Sequence, residues 1–379
     1  MFMKKRLATS VMIGVAALAF VGCSSAAPES GTTGESAGGE FGDVSIAYGS
    51  PGEAAEFEVT ISDGVEAVAK EVGVGFKLYN NKDDGEIALT NAQLMVQGAP
   101  DVIVEYSLTS GVNQALGNTF TASGIPCIAV NVETPGCSLI NLSNRKAGED
   151  AAKIMAAEAL SRGWTAADTT VLAVQCATCG TEVNDSPRYF YTQAAEDMGL
   201  EQVKPEDINE KTTVLGANLN QVDGGTARDT AYDAVKAALQ AIPKDRHLLV
   251  FSPNDDLTLG AWRALDEAGR NDTTLIGGNN GSSEGLDQLR TNPSWVVEGT
   301  MFLPQWGQYV IAMAVAVANG ATPPELTPLP QYAMDKQSVE EFYPGDATVA
   351  VKLPPLEAEA EYLAETGVLQ KLGFVEGLD

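Results

Sequence analysis

Apolar positions along the chain follow two alternating periods. Short runs that are apolar on both faces, "VSIAY" at 44–48, "VGFKLY" at 74–79, "DVIVEY" at 101–106 and "PCIAVNV" at 126–132, read as strands covered on both sides. A second set follows: "TTVLAVQ" at 169–175, "TTVLG" at 212–216, "HLLVFS" at 247–252 and "TTLIGG" at 273–278. Between these runs the spacing becomes helical. Val65, Val68, Ala69 and Val72 share one face, as do Ala231, Val235, Ala238 and Leu239. Leu257, Ala261, Ala264, Leu265 and Ala268 form a third stripe, and Gly73, Gly163, Gly199 and Gly269 stand where helix C-termini are expected. The strand–helix units fall into two groups, parted near residue 132. The pattern predicts an α/β chain of two doubly wound parallel-sheet lobes, with a ligand cleft where the carboxyl ends of their strands face each other.

Length agrees, since 379 residues accommodate two lobes of about 150 residues each. The N-terminus departs from the pattern. Lys4, Lys5 and Arg6 precede the apolar run from Leu7 to Val21, and Gly22-Cys23 follows. That is the layout of an export signal over residues 1–22, too short for a spanning helix. Its end, "AFVGC", resembles a bacterial lipobox, with Phe20 where Leu is usual. Lipidation of Cys23 is the expectation, and ordinary cleavage nearby is the alternative. Residues 23–42, rich in Ser, Gly, Thr, Ala and Glu, then form a tether. The mature chain is expected outside the cytoplasm, held to the cell membrane by lipid alone.

Losing three cations with the signal takes the net charge from -28 to about -31. So acidic a surface repels nucleic acid and anionic lipid, which points to a neutral or cationic ligand. Four cysteines remain, an even number suited to disulfides in an exported chain. Cys127 and Cys137 flank the turn "NVETPG". Cys176 and Cys179 form "CATC", which fits a small structural disulfide or, less well, a redox pair. With His247 the one histidine and no second CxxC, zinc is not expected.

No catalytic constellation emerges. The chain lacks a G-x-S-x-G elbow, a P-loop and a G-x-G-x-x-G turn at a strand–helix junction. Asp255 and Asp256 suggest a metal, but nothing nominates the further oxygen ligands it would need. No metal, cofactor or catalytic residue is therefore expected. Asn131, Arg188, Asn254 and Asn279 instead follow predicted strands, and their side chains suit paired hydroxyl groups. Phe57, Trp306 and Tyr106 could cover the apolar faces of a sugar ring. Taken singly, each polar residue also reads as a helix cap or turn former.

The stretch "SPNDDLTLGAWRALDEAG" resembles a segment of sugar-binding proteins of the ribose and galactose type, the substrate-binding components of ABC importers. "SDGVEAVAKEVGV", "GAPDVIVEY", "SGIPCIAVNV", "LSNRKAGEDAA", "RYFYTQAAEDMG" and "VVEGTMF" extend the likeness in order over 43–320. It implies a type I periplasmic binding protein fold. Phe57 would stack on a sugar, Arg188 and Asn254 would grip it, and Asn131 and Asn279 stand where many members have Asp. Leu303 takes the register of a family Gln, with Gln305 and Trp306 just beyond, and Tyr191 replaces a Gly. Asp255 is expected to share the rim as a brace, and Asp256 to cap the following helix.

The resemblance further implies discontinuous lobes joined by three crossings that act as a hinge. One lobe would take 43–131 plus 303–330, the other 132–302 plus 331–379. The expected protein is a monomeric, non-enzymatic carrier that delivers a neutral sugar or polyol to ABC permease subunits. The alternative is a sensor of the same fold feeding a chemoreceptor or kinase.

Overall fold

A computed structural model describes residues 41–53, 56–109 and 111–378; the signal, Cys23 and most of the tether lie outside them. In chain order the first lobe comprises β1 (Ser45–Ser50), α1 (Glu56–Val72), β2 (Gly75–Asn80), α2 (Gly85–Gly98), β3 (Val102–Glu105), α3 (Asn113–Ser123), β4 (Cys127–Val130) and β5 (Ser138–Asn141). The second comprises α4 (Asn144–Ser161), β6 (Thr169–Gln175), α5 (Asp185–Met198), β7 (Thr213–Leu215), β8 (Leu219–Asp223), α6 (Arg228–Ala238), β9 (His247–Phe251), α7 (Asp255–Glu267), β10 (Thr274–Asn280), α8 (Ser283–Thr291) and β11 (Trp295–Thr300). The chain then returns through α9 (Trp306–Ala318) and β12 (Leu326–Pro328), crosses to β13 (Tyr332–Met334) and α10 (Val339–Phe342), and ends in a 3-10 run (Ala358–Thr366) and α11 (Val368–Leu372).

Two sheets result, as the hydrophobic periods predict. The first has the order β12-β5-β4-β3-β1-β2, parallel throughout. The second runs β13-β11-β10-β9-β6-β8-β7 and is parallel except at its two edges. Strand order reverses beside β1 in the first sheet and beside β6 in the second, which is where crevices open in such folds. Gly73, Gly163, Gly199 and Gly269 all adopt positive φ, the conformation a helix C-terminus needs and glycine supplies at least cost. The run at 212–216 proves to be a short antiparallel edge, and Leu219–Asp223 is the parallel neighbour of β6.

Two expected boundaries move. Ser138–Asn141 belongs to the first sheet, because the 131–137 turn folds back beside β4 and is tied there by the Cys127–Cys137 disulfide. The first crossing therefore lies between Asn141 and Asn144. The tail does not cap the second lobe alone: Leu363, Val368 and Leu369 are buried with α9 and α1 in the core that includes the first lobe. The cause is α9 itself. It is apolar but for Gln308, and every residue from Trp306 to Ala316 is buried. Such a helix needs cover on two sides. The α1 helix supplies one, with Gly64 and Gly307 at the contact; a Cβ on Gly307 would fall 2.2 Å from the Gly64 carbonyl oxygen. The tail supplies the other.

Candidate functional site

Polar groups gather at the carboxyl ends of both sheets. In the first lobe, β3 ends at Glu105 and delivers Tyr106 and Ser107, while β4 delivers Asn131. Asn131 sits in the left-handed region (φ 65°) and donates its backbone N–H to Ile140 O at 2.9 Å, so the chain turns sharply there. Tyr106 is fully buried, and its hydroxyl makes no well-formed hydrogen bond among the described residues. Burial first, then Tyr48 and the Glu58 carboxylate, push that hydroxyl above its ordinary pKa; the nearby Asn131 amide moderates the rise. Ser107 Oγ, Asn113 Oδ1 and Thr134 Oγ1 are likewise buried without a partner among the described residues. Buried polar atoms are nearly always paired, and these four lie near one another at the carboxyl end of the first sheet, where Asn113 Nδ2 donates to Glu133 O at 3.2 Å and reaches Ser107 O at 3.5 Å.

The aromatic residues separate. Phe57, near the start of α1, is half-buried and meets Trp306 edge-on at 5.9 Å. Trp306 is wholly buried and donates its indole N–H to Met301 O at 2.6 Å. It buttresses Phe57 from behind and has no face for a ligand. Gln305 is also withdrawn: its Nε2 donates to Ala350 O at 3.2 Å, fastening the tail.

The second lobe revises more of the expectations. Arg188 lies on α5, where it pairs with Asp185 and donates Nε to Ile208 O at 2.9 Å. Its guanidinium thus braces the lobe's own loop. Asn254 is the N-cap of α7, its Oδ1 accepting the Leu257 N–H at 3.0 Å. Asp256, expected to be that cap, is exposed and pairs with Arg228 at 2.6 Å. Asp255, expected at the rim, is buried beneath it. The reason is local geometry: the chain leaves β9 extended at Asn254, so the helix begins one residue after it. Asn279 is buried near the end of β10 with its side chain laid over Gly299, where any Cβ would come within 2.2 Å of Asn279 Oδ1. It borders a cavity of about 10 Å³ shared with Asp150, Thr300 and Gln331, room for roughly one water.

Cys176 and Cys179 are disulfide-bonded at the end of β6. Asn184 pins that loop, accepting from Cys176 N and donating to Cys176 O and Gly180 O. Asn141, at the first crossing, donates to Glu182 Oε1 at 2.5 Å and so joins β5 to the β6–α5 loop.

Sequence reasoning missed Glu58, Ser107, Asn113 and Thr134 on the first lobe, and the buried Glu105 and Glu298 beneath the two sheet edges. A Glu inside an otherwise apolar strand, as in "VIVE" and "WVVEGT", was the available signal. Among the described residues no three His, Cys, Asp or Glu side chains gather as metal ligands, and no helix is long and apolar enough to cross a membrane. A groove of about 800 Å³ lies at the amino ends of the second sheet's strands, lined by Lys153, Arg162 and Lys336, and holds none of the strand-end residues. The strand-end groups offer hydrogen bonds in both directions.

Comparison with known proteins agrees with this geometry. A family model described as "Periplasmic binding protein domain" matches residues 46–322. Among solved structures, the chain is similar to an ABC transporter solute binding protein from Mycobacterium smegmatis with bound glycerol (TM-score 0.61, 21% identity, covering 82% of this chain and 99% of that one). It is also similar to an ABC transporter solute binding protein from Bacillus halodurans with bound myo-inositol (0.58, 18%, 82% and 99%). A third is a periplasmic ribose ABC transporter protein from Conexibacter woesei (0.61, 17%, 80% and 96%). At these identities the likeness shows the fold. Among curated proteins none matches the chain.

Proposed function

The chain belongs to the periplasmic binding protein family, and from that premise we propose that it captures a neutral sugar or polyol between its lobes and delivers it to an ABC-type importer. One observation carries the reading. Tyr106, Ser107, Asn113 and Thr134 present buried polar atoms without partners at the carboxyl end of the first sheet, near Asn131. A polyol supplies both the donors and the acceptors such a surface lacks. Arg188, the cation expected to grip the ligand, is occupied by Asp185 and the Ile208 carbonyl. That favours an uncharged ligand over a sugar acid or sugar phosphate. Two lobes joined by three crossings can close on it by hinge motion. Export, and anchoring through a lipidated Cys23, complete the proposal and place the protein at the outer face of the cell membrane as a monomeric carrier without enzymatic activity.

A thermal-shift and calorimetry panel of glycerol, myo-inositol, D-ribose, D-allose and D-galactose tests the reading. Saturable binding of at least one, with none for the corresponding sugar phosphates, is expected. A panel without any thermal shift contradicts it.

A further inference from the structure

Below the end of β10 two carboxyl groups lie together in the second lobe. Asp255 is 2% exposed and Glu298 is wholly buried. Asp255 Oδ2 accepts the backbone N–H of Ser282 at 2.9 Å, and Glu298 Oε1 accepts that of Gly281 at 3.1 Å. Glu298 Oε2 accepts the Trp295 indole N–H at 3.0 Å. Asp255 Oδ1 meets no N–H or hydroxyl donor among the described residues, and it faces Glu298 Oε2 across the bare Cα of Gly278. Two glycines leave room for this contact. A Cβ on Gly278 would lie 2.7 Å from Asp255 Oδ1 and 2.9 Å from Glu298 Oε2, and one on Gly285 would lie 2.6 Å from Asp255 Oδ2.

The charged surroundings do not neutralise the pair. The α7 helix adds Asp256, α8 adds Glu284, and Arg228 of α6 is paired with both of those at 2.6 and 2.5 Å. The tail adds Tyr343, whose hydroxyl contacts Thr300. No cation donates to Asp255 or Glu298 among the described residues. Burial holds both carboxyls above the ordinary range, and the Asp255 charge adds to the effect on Glu298. Two carboxylates in such a site cannot both ionise without strong repulsion, and one proton held between them removes it.

We propose that Asp255 and Glu298 share one proton, and that the protonated pair is a positioning device that sets the Gly281–Ser282 turn and, through it, the adjoining Asn279 for the ligand. The part concerning the ligand rests on the sugar-binding reading above; the part concerning the turn does not. As pH rises and the shared proton is lost, repulsion releases the turn, and the second lobe's grip weakens on the alkaline side.

Asp255→Asn isolates the proton. Its amide carbonyl keeps the Ser282 N–H, and its Nδ2 takes the place of the oxygen that has no donor, giving Glu298 a permanent hydrogen bond. Amide exchange of the 279–282 segment is followed by mass spectrometry in ligand-free protein, wild type against Asp255→Asn, from about pH 5 to about pH 9. The ratio of wild-type to variant exchange should rise about tenfold or more across that range, equivalent to one pKa unit of coupling. Glu298→Gln, which also removes the shared proton, should give the same rising ratio of wild-type to variant exchange, at some cost in stability. Parallel profiles for wild type and both variants overturn the proposal. Binding of whichever panel sugar gives the largest shift should weaken with pH in wild type and stay level in Asp255→Asn; a level wild-type profile would overturn the link to the ligand. A pH-dependent turn in a protein that binds none of the panel would contradict the sugar-binding reading and leave the carboxyl pair standing.

Discussion

Asn254 Oδ1 accepts the Leu257 backbone N–H at 3.0 Å, so the residue that ends the β9 run is fastened to the first turn of α7. Asn254→Ala should therefore lower unfolding free energy by about 1 kcal/mol, the usual cost of a lost N-cap. Asp256→Ala, removing an exposed partner of Arg228, should change it by no more than about 0.5 kcal/mol. Urea denaturation of the two variants checks the contrast, and a larger loss in Asp256→Ala would reverse the assignment.

Glu105 lies wholly buried in the first lobe, accepting from Asn81 Nδ2 at 2.9 Å, and burial pushes its carboxyl up to about 8. The folded state holds this proton more tightly than the unfolded chain. Its contribution is thus complete at acid pH and is lost as pH rises from the ordinary carboxylate range to about 8. Glu105→Gln cannot ionise, so it should lose part of the wild-type decline in melting temperature over that interval. Scanning both proteins by calorimetry at matched pH tests this; identical slopes would mean that Glu105 ionises as readily folded as unfolded.

Leu363 is fully buried in the tail that covers the outer side of α9. Leu363→Ala should cost about 2–5 kcal/mol, as for a core leucine. A loss below about 0.5 kcal/mol, typical of surface positions, would show the tail to be a loose appendage.

Much of this architecture was legible in the residue pattern, for a reason. Strands covered on both faces, such as "TTVLAVQ", cannot be confused with solvated ones, and helix stripes such as Leu257, Ala261 and Leu265 fix which face is inward. The short strands were not legible. Ser138–Asn141 and Leu326–Pro328 are too brief to show a period, and they exist because neighbouring strands pair with them. The α9 helix, apolar but for Gln308, needs cover on both its sides, but no pattern in 353–378 names its partner. At the site, spacing located Asn254, Arg188 and Trp306 without showing where their side chains point. Direction depends on what else competes for each group: a helix N-terminus for Asn254, Asp185 for Arg188, the Met301 carbonyl for Trp306.

The central claim, that the partnerless polar edge of the first lobe awaits a polyol, turns on the Tyr106 hydroxyl. Calorimetric titration of wild type and Tyr106→Phe with the sugar or polyol that wild type binds, alongside their melting temperatures, tests it most directly. The hydroxyl has no well-formed bond to lose within the protein, so the variant should melt no lower than wild type while binding its ligand about tenfold more weakly, the loss expected for one buried hydrogen bond. Equal affinity in the two proteins, or a variant that loses stability without losing affinity, would contradict the account.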